Sequence, residues 1–420
     1  MSLDSKKDIF LWGAATAAHQ VEGHQDNNWS AVEASKAKEW MAEAERRYQN
    51  LPNWPDISSQ ALDASNYISG SAADHYHIYK DDINLMKEIE LNSYRFSIEW
   101  SRIEPSPGVF DREATDHYRS LLKELDGAGI EPFVTLHHFS EPKWLEEYGG
   151  WHGGNFPELF SRFVNYIASE LGSYINFYTT INEPESYMIS RYLDSPLWPG
   201  WPRQEKSYRR YLKARKELIR AHELAYQAIK STQSDAQVGI AHGVVWFEPY
   251  NRWVAPLVWW LDRDGGSGKY GQFSQDFIAV QYYMRHIVRP KFAHPMDWAE
   301  MPNEGPRTDM GWEVYPHGLY ELTQRLKRYN LPIYITENGI ADSSDSQRAE
   351  YIDSHIRALN RSIADGADIK GYFYWSLLDN YEWSSGFWPR FGLVEVDYRT
   401  NARRIRDSAY KYRDIIRSYS

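Results

Sequence analysis

Eight short apolar runs recur along the 420-residue chain, and stretches with helical periodicity separate several of them. Short apolar runs that alternate with amphipathic stretches are typical of strand–helix units built around a parallel sheet. Eight such units predict an α/β fold, a single (β/α)8 TIM barrel in one domain that spans residues 1–420. The predicted strands are 9–15, 92–98, 131–137, 176–182, 238–243, 277–283, 332–337 and 371–377.

Helical patterns support this fold. The clearest cover 114–127, 211–231 and 347–366, where apolar residues recur every three or four positions. A further amphipathic stretch, 30–48, predicts a helical insertion after the first strand. We interpret it as a decoration packed on the barrel rim, with a lid or a wall of the substrate cleft as the alternative. Residues 264–269 are rich in glycine but lack phosphate-loop spacing, which predicts an ordinary turn.

Charge and composition argue against several classes of protein. The net charge is −11 and there is no long basic tract, so nucleic acid is not expected as a partner. No run approaches the roughly 18 apolar residues of a membrane span, and the polar first residues do not resemble an export signal. The chain has no cysteine and therefore no disulfide or thiolate metal site. Together these features predict a cytoplasmic protein.

Aromatic residues make up 15% of the chain, including 18 Trp and 31 Tyr. Many of these rings are expected in the core, because aromatic side chains bury large apolar areas. Their flat faces also suit the C–H faces of sugar rings. The excess of tryptophan and tyrosine therefore favours a small carbohydrate as the ligand.

Two glutamates stand at the C-terminal ends of predicted strands, where (β/α)8 barrels place their chemistry. Glu183 follows the fourth strand and precedes Pro184, and Glu337 ends the seventh strand and precedes Asn338. Either carboxylate alone would more often be structural. As a pair they match glycoside cleavage, in which one carboxylic acid protonates the leaving oxygen and a second carboxylate attacks the anomeric carbon or activates water.

Two rival functions have less support. A catalytically silent sugar-binding barrel would be expected to have lost Glu183 or Glu337, and both are present. A metal-dependent barrel hydrolase would need strand-end histidines with an open coordination position. The candidates lack the paired spacing of such sites, so we expect neither a metal nor an organic cofactor. These candidates are His19, His24, His137, His138 and His242.

Six motifs, in order along the chain, resemble those of glycoside hydrolase family 1, the retaining β-glycosidases. They are 10–23, 94–103, 134–139, 177–184, 332–339, and 374–383 with 390–393. The resemblance covers nearly the whole chain. It implies an exo-acting enzyme that cleaves β-D-glucosyl O-glycosides or short oligosaccharides through a covalent glycosyl-enzyme. It also implies galactosyl, fucosyl or mannosyl substrates as accompanying or alternative activities, and it leaves transglycosylation open.

The resemblance also implies a role for each matching residue. Glu183 would be the acid/base and Glu337 the nucleophile, while Arg95 and Tyr283 would position the nucleophile. We expect Arg95 to keep Glu337 ionised and the pKa of Glu183 to be raised. Retention predicts a separation of about 5–5.5 Å between the two carboxyl groups. The implied substrate-binding residues are Gln20, His138, Asn182, Trp375, Glu382, Trp383 and Phe391.

The chain departs from the family pattern in two places. Gln281 stands where the family usually has asparagine, which predicts a shifted hydrogen bond or a tighter pocket beside the nucleophile. The segment 202–276 is shorter than usual, although it normally helps to wall the leaving-group side, where Trp312 is a candidate platform. Glu382, beside Trp383, would repel a 6-phosphate and so predicts an unphosphorylated sugar.

Overall fold

The computed structural model describes residues 9–193, 201–202, 204–258, 273–291, 298–302 and 305–419. The turn predicted at 264–269 lies outside these ranges. The strands within them are β1 (Leu11–Ala15), β2 (Ser93–Ser97), β3 (Glu131–His137), β4 (Phe177–Asn182), β5 (Gln237–Pro249), β6 (Ile278–Val288), β7 (Ala299–Glu300), β8 (Ile333–Asn338), β9 (Ile369–Trp375), β10 (Val394–Asp397) and β11 (Ala402–Ile405).

The described α-helices lie mostly between successive strands. None of them has the length and apolar content needed to cross a bilayer. They are α1 (Ala18–Val21), α2 (Ser30–Tyr48), α3 (Trp54–Ala61), α4 (His75–Glu88), α5 (Trp100–Ile103), α6 (Arg112–Gly127), α7 (Phe156–Leu171), α8 (Pro184–Tyr192), α9 (Tyr208–Thr232), α10 (Pro316–Leu326), α11 (Arg348–Ala364) and α12 (Asp407–Ser418).

Eight parallel strands close into a barrel. Their order is β5-β4-β3-β2-β1-β9-β8-β6, and the pairing of β5 with β6 completes the ring. β7 pairs antiparallel with the end of β6, while β10 and β11 form a separate hairpin. Each of the eight predicted strands overlaps one of the barrel strands, so the predicted (β/α)8 barrel is confirmed.

Aromatic rings fill the barrel interior, with Phe133 of β3 at their centre. Its ring centroid lies 5.1–5.6 Å from those of Phe177, Phe277, Tyr334 and Phe373. Gly13 of β1 makes room for this packing, because a Cβ there would lie 2.5 Å from the Phe373 ring. The barrel is thus a packed core, and its C-terminal face is left as the place for a site.

β5 and β6 run further than the apolar pattern predicts. They have 13 and 11 residues, and their outer parts pair as Trp246 with Arg285 and Phe247 with His286. Burial alternates along these outer parts, because only one face of each strand is covered. In β6 the polar Arg285 and His286 interrupt the apolar run, whereas in β5 the apolar run continues through Phe247, beyond the predicted end at Gly243.

The predicted insertion at 30–48 is the helix α2, with the same bounds. Its Trp40 packs against Trp29 at 5.9 Å between ring centroids, and its Tyr48 packs against Trp388 at 5.0 Å. These contacts attach the insertion to the rim of the barrel, as we interpreted from the sequence.

Candidate active site

A cavity of about 1110 Å³, counted with its opening to solvent, lies at the C-terminal ends of the barrel strands. Ten of the eleven residues that the sequence singles out for the site line it, and the eleventh, Arg95, lies fully buried behind it. The structure therefore brings together residues from across the chain. The ten are Gln20, His138, Asn182, Glu183, Tyr283, Glu337, Trp375, Glu382, Trp383 and Phe391.

Three donors hold the carboxylate of Glu337, one residue before the end of β8. One oxygen accepts hydrogen bonds from Arg95 Nη1 and from Gln281 Nε2, the latter at 2.8 Å. The other oxygen accepts from the Tyr283 hydroxyl at 2.7 Å. Since Arg95 belongs to β2 and the other two donors belong to β6, neighbouring and distant strands together fix the orientation of this carboxylate.

Asn182, the last residue of β4, belongs to the same network. Its side-chain oxygen accepts from Arg95 Nη2 at 2.5 Å and from Gln281 Nε2 at 2.6 Å. Gln281 therefore bridges Asn182 and Glu337 through one amide nitrogen. A shift of this hydrogen bond relative to the family pattern stays a prediction.

Glu183 directly follows β4 and has a left-handed backbone with a φ of 38°. Its amide donates to the Ala241 carbonyl at 2.7 Å, which fixes the residue against β5. Gly243 of β5 leaves room for the carboxyl group, because a Cβ there would lie 2.4 Å from Glu183 Cδ. A positive φ on a residue other than glycine is costly and is characteristic of functional positions.

The two glutamates differ in their electrostatic surroundings. Burial, and then the negative charge of Glu337, raises the pKa of Glu183 to about 8. Burial also raises the pKa of Glu337, but the positive charge of Arg95 and the Tyr283 hydrogen bond oppose that rise. Among the described residues no cation hydrogen-bonds to Glu183. Glu183 is therefore the member of the pair that keeps a proton near neutral pH.

The expectation that Arg95 keeps Glu337 ionised overstates the effect of this ion pair on the pKa of Glu337. Desolvation of a fully buried carboxylate outweighs its ion pair, so the pKa of Glu337 lies above rather than below its ordinary value. What Arg95 and Tyr283 achieve is a relative effect: they favour the charged form of Glu337 over that of Glu183.

Glu382 lies at the inner end of the cavity between two amide donors. Its Oε2 accepts from Gln20 Nε2 at 3.2 Å and from Asn380 Nδ2 at 2.8 Å. Burial raises the pKa of Glu382 to about 7, and the charge of Glu337 adds to this rise. Near neutral pH this carboxyl group is therefore present in both the ionised and the protonated form. The sequence-based expectation of a fully anionic group is too simple.

Aromatic rings form the walls around these polar groups. The His138 ring stacks near Trp375, with centroids 6.0 Å apart, and near Trp383 at 6.2 Å. On its other side Trp383 stacks on His19, with centroids 5.4 Å apart and planes 7° from parallel. His19 Nε2 lies 3.0 Å from the carboxylate of Glu33, a buried residue of α2.

Several cavity residues were not predicted from the sequence. Arg47 and Tyr48 of α2 line the cavity, so the insertion packs on the rim and also forms part of the cleft wall. The outer parts of β5 and β6 contribute Val245, Met284 and His286, and the candidate platform Trp312 also lines the cavity. No alternating polar and apolar pattern in the sequence marks these residues, because 244–247 is continuously apolar and 284–288 is irregular.

Three of the histidines considered as metal ligands, His19, His137 and His242, contact carboxylates of the protein. His137 Nε2 lies 3.3 Å from Glu141, and His242 Nδ1 lies 3.0 Å from Glu185. Within the described ranges, no group of three or more His, Cys, Asp or Glu side chains is placed to hold a metal ion. These residues therefore lend no support to the metal-dependent alternative.

Comparisons with known proteins agree with this arrangement. The family model for glycosyl hydrolase family 1 matches residues 4–258 and 270–420. The chain is 30% identical to β-glucosidase A of Thermotoga maritima, with 100% of this chain and 99% of the relative covered. It is 31% identical to β-glucosidase A of Acetivibrio thermocellus, with 97% of each chain covered.

Solved structures show the same likeness. The β-glycosidase from Pyrococcus horikoshii gives a TM-score of 0.84 at 34% identity, covering 98% of this chain and 94% of that chain. The T. maritima β-glucosidase in complex with glucoimidazole gives a TM-score of 0.81 at 29% identity, covering 98% of this chain and 99% of that chain. Fold, site and likeness together define the class of the protein, a glycoside hydrolase. The chain belongs to glycosyl hydrolase family 1, and the relatives named here are β-glucosidases and a β-glycosidase.

Proposed function

We propose that this protein is a retaining exo-β-glycosidase that removes terminal, unphosphorylated β-D-glucosyl residues from O-glycosides. β-Galactosyl, β-fucosyl and β-mannosyl groups are proposed as secondary substrates. The observation that carries the proposal is the contrast between the two buried glutamates. Glu337 is held by three donors, whereas Glu183 has a pKa of about 8 and keeps its proton.

In the first step, Glu337 attacks the anomeric carbon while Glu183 donates its proton to the departing oxygen. The C–O bond to the leaving group breaks, a covalent glycosyl-enzyme forms, and the alcohol leaves. In the second step, the ionised Glu183 removes a proton from water, which attacks the same carbon and releases the sugar and Glu337. The charge of Glu337 is gone in the intermediate, which lowers the pKa of Glu183 and suits its change from acid to base.

The inner end of the cavity supplies the contacts for the sugar. The side-chain oxygen of Asn182 is occupied by two donors, so its amide NH₂ is the group left for the sugar 2-hydroxyl. Glu382, held by Gln20 and Asn380 through Oε2 and by the Trp375 side chain, has carboxylate lone pairs left to accept from sugar hydroxyls. The Trp375 ring provides the apolar face beneath the sugar. Binding of one terminal sugar at this inner end corresponds to exo action.

The stereochemistry of the first product tests the proposal. With 4-nitrophenyl β-D-glucoside, proton NMR at early times is expected to show β-glucose before mutarotation produces the α-anomer. A panel of nitrophenyl glycosides is expected to rank the β-glucoside first. Early α-glucose would mean inversion and would contradict the assignment of Glu337 as a nucleophile. Transfer products at high substrate concentration would add transglycosylation through the same intermediate.

Gln281 gives a further prediction. Gln281→Leu removes the donor to Glu337 at similar volume and is expected to lower kcat/KM for 4-nitrophenyl β-D-glucoside by about fivefold to tenfold, the value of one hydrogen bond. Because a donor to a carboxylate favours its charged form, its loss is also expected to move the acid limb of the pH profile to higher pH. Gln281→Asn retains the amide and is the matched control, with an intermediate effect. An unmoved acid limb in Gln281→Leu would show that Gln281 only fills space.

A further inference from the structure

A buried ion pair lies behind the part of the cavity wall that carries Trp312. Arg285 of β6 donates from Nε to one oxygen of Glu313 at 2.6 Å and from Nη2 to the other oxygen at 3.0 Å. Glu313 is 3% exposed, and the Arg285 side chain is 13% exposed. Neither belongs to the described residues that line the cavity. The pair can therefore act on the substrate site only through its neighbours.

The geometry of this pair makes it a rigid support. A guanidinium that meets a carboxylate through two hydrogen bonds fixes both the distance and the relative orientation of the two groups. Glu313 depends on this partner, because a buried carboxylate is costly when its cation is removed. Arg285 is also held from a second side, since it donates to Glu248 of β5 and its guanidinium lies 3.8 Å from the centroid of the Tyr315 ring. Glu313 is thus tied to both outer strands.

Glu313 directly follows Trp312, whose backbone closes a tight turn. The Trp312 amide donates to Thr308 Oγ1 at 3.1 Å, and the Trp312 carbonyl accepts from the Thr308 amide at 2.9 Å. At the far side of this turn, the Asp309 amide donates to the Ala341 carbonyl at 2.8 Å. The turn is therefore a small closed unit, and the ion pair fixes it on the side of β6.

The Trp312 ring borders the pocket around the nucleophile. Its centroid lies 5.8 Å from that of Tyr283 and 6.2 Å from that of Phe391. Since Tyr283 donates to Glu337, the indole lies one side chain away from the carboxylate that attacks the sugar. Trp312 is 8% exposed and lines the cavity, which leaves part of its surface open to a substrate. A flat apolar ring in this place suits contact with a leaving group that extends beyond the sugar.

We propose that Arg285 is a positioning residue for the leaving group: through Glu313 it holds the Trp312 ring where a long leaving group packs against it. This inference rests on the proposed function and names a residue that sets the leaving-group preference of the same site. A gap of about 1 Å already forfeits up to about half of a dispersion contact. Loss of Arg285 is therefore expected to cost more for long leaving groups than for short ones.

Two pairs of glucosides test this inference. One pair is phenyl and 2-naphthyl β-D-glucoside, and the other is methyl and octyl β-D-glucoside. Leaving-group acidity is similar within each pair, whereas the reach of the leaving group differs. The measured quantity is the ratio of kcat/KM for the long and the short substrate. Because both values come from one sample, the ratio does not depend on the folded fraction of a variant.

The wild-type enzyme is expected to prefer the long member of at least one pair by about threefold to tenfold, the value of one aromatic contact. Trp312→Ala is expected to bring this ratio close to one. Arg285→Met removes the guanidinium at similar length and is expected to lower the ratio by about twofold or more. Arg285→Lys keeps the charge but loses the fork, so an intermediate ratio is expected, and it decides the test if Arg285→Met does not fold.

Two further variants separate positioning from a general loss of structure. In the Trp312→Ala background, Arg285→Met is expected to leave the ratio unchanged, because the ring through which Arg285 acts is gone. Arg289→Met makes the same chemical change four residues along the chain, where the acidic partner is Glu300 instead of Glu313. This control is expected to keep the wild-type ratio.

Three results would overturn the inference: a wild-type ratio in the Arg285 variants, a wild-type ratio in Trp312→Ala, or an equal fall when Arg285→Met is added to Trp312→Ala. The third result would show that Arg285 acts through another group. Cleavage by the wild-type enzyme without preference for either long substrate also overturns the inference, and it leaves the proposed function intact. If the wild-type enzyme cleaves none of the four glucosides, the proposed function itself fails, and this inference fails with it.

Discussion

Glu337→Gly is expected to lower kcat for 4-nitrophenyl β-D-glucoside by on the order of 10⁴-fold or more, as for the loss of other nucleophiles. Glycine removes the carboxylate and leaves a space beside Arg95, Gln281 and Tyr283. A small anion such as azide can occupy this space, because the three donors that held the carboxylate remain. Azide attacks from the face that Glu337 occupied, so the expected product is α-glucosyl azide.

The matched control for this variant is Glu337→Gln. Glutamine also abolishes the nucleophile, but its amide fills the space, so azide is not expected to restore activity. The product is identified by NMR of the isolated azide. A β-linked azide from Glu337→Gly would place the nucleophile elsewhere and overturn the assignment of Glu337.

Glu183→Ala is expected to have an effect that depends on the leaving group. For alkyl β-glucosides, which need a proton on the departing oxygen, kcat/KM is expected to fall by about 10²–10⁴-fold, the usual contribution of a general acid. For 2,4-dinitrophenyl β-glucoside the fall in kcat/KM is expected to be below about tenfold, because this leaving group departs without protonation. The measurement is a plot of log kcat/KM against leaving-group pKa, which is expected to be steep in the variant and shallow in the wild type.

Glu185→Gln is the control for Glu183→Ala, since it alters a carboxylate two residues away that bonds to His242. Its dependence on the leaving group is expected to match the wild type. Azide added to Glu183→Ala is expected to give β-glucosyl azide, because it attacks the intermediate from the side of the missing acid. Equal losses for alkyl and dinitrophenyl substrates would remove Glu183 from the role of acid.

The pKa of Glu183 also predicts the pH profile. The acid must be protonated in the free enzyme, and its pKa of about 8 lies above the ordinary glutamate value. Activity measured as kcat/KM is therefore expected to hold near neutral pH and to fall as the pH rises through about 8. With the dinitrophenyl substrate, Glu183→Ala is expected to lack this basic limb.

Much of the fold could be predicted because barrel strands are buried on both faces. β3 (Glu131–His137) is buried along its whole length, and its predicted bounds match the structure. β5 and β6 were both predicted too short; in β6 the half-buried Arg285 interrupts the apolar run, whereas the apolar residues of β5 beyond Gly243 were missed. Arg285 is tolerated there because it pairs with Glu248 and Glu313, residues distant in sequence.

The sequence predicted which residues meet at the cavity and that Arg95 and Tyr283 lie against Glu337, but it did not predict the rest of the hydrogen-bond network. Glu183 and Glu337 could be placed at strand ends because the residues that follow each of them interrupt the strand pattern. The bridge of Gln281 between Asn182 and Glu337 depends on distances across three strands, which no local pattern encodes. The raised pKa of Glu183 was expected, whereas the rise in the pKa of Glu337 was not, because it comes from burial that arises only when the barrel closes.

The contact of α2 with the sugar pocket limits how this chain can be redesigned. Glu33 accepts from the backbone and hydroxyl of Ser69 and bonds to His19, whose ring stacks on Trp383. Through His19, a helix outside the barrel is thus connected to a tryptophan that lines the cavity. Exchange of residues 30–48 with another family member would carry part of the sugar specificity along with the helix.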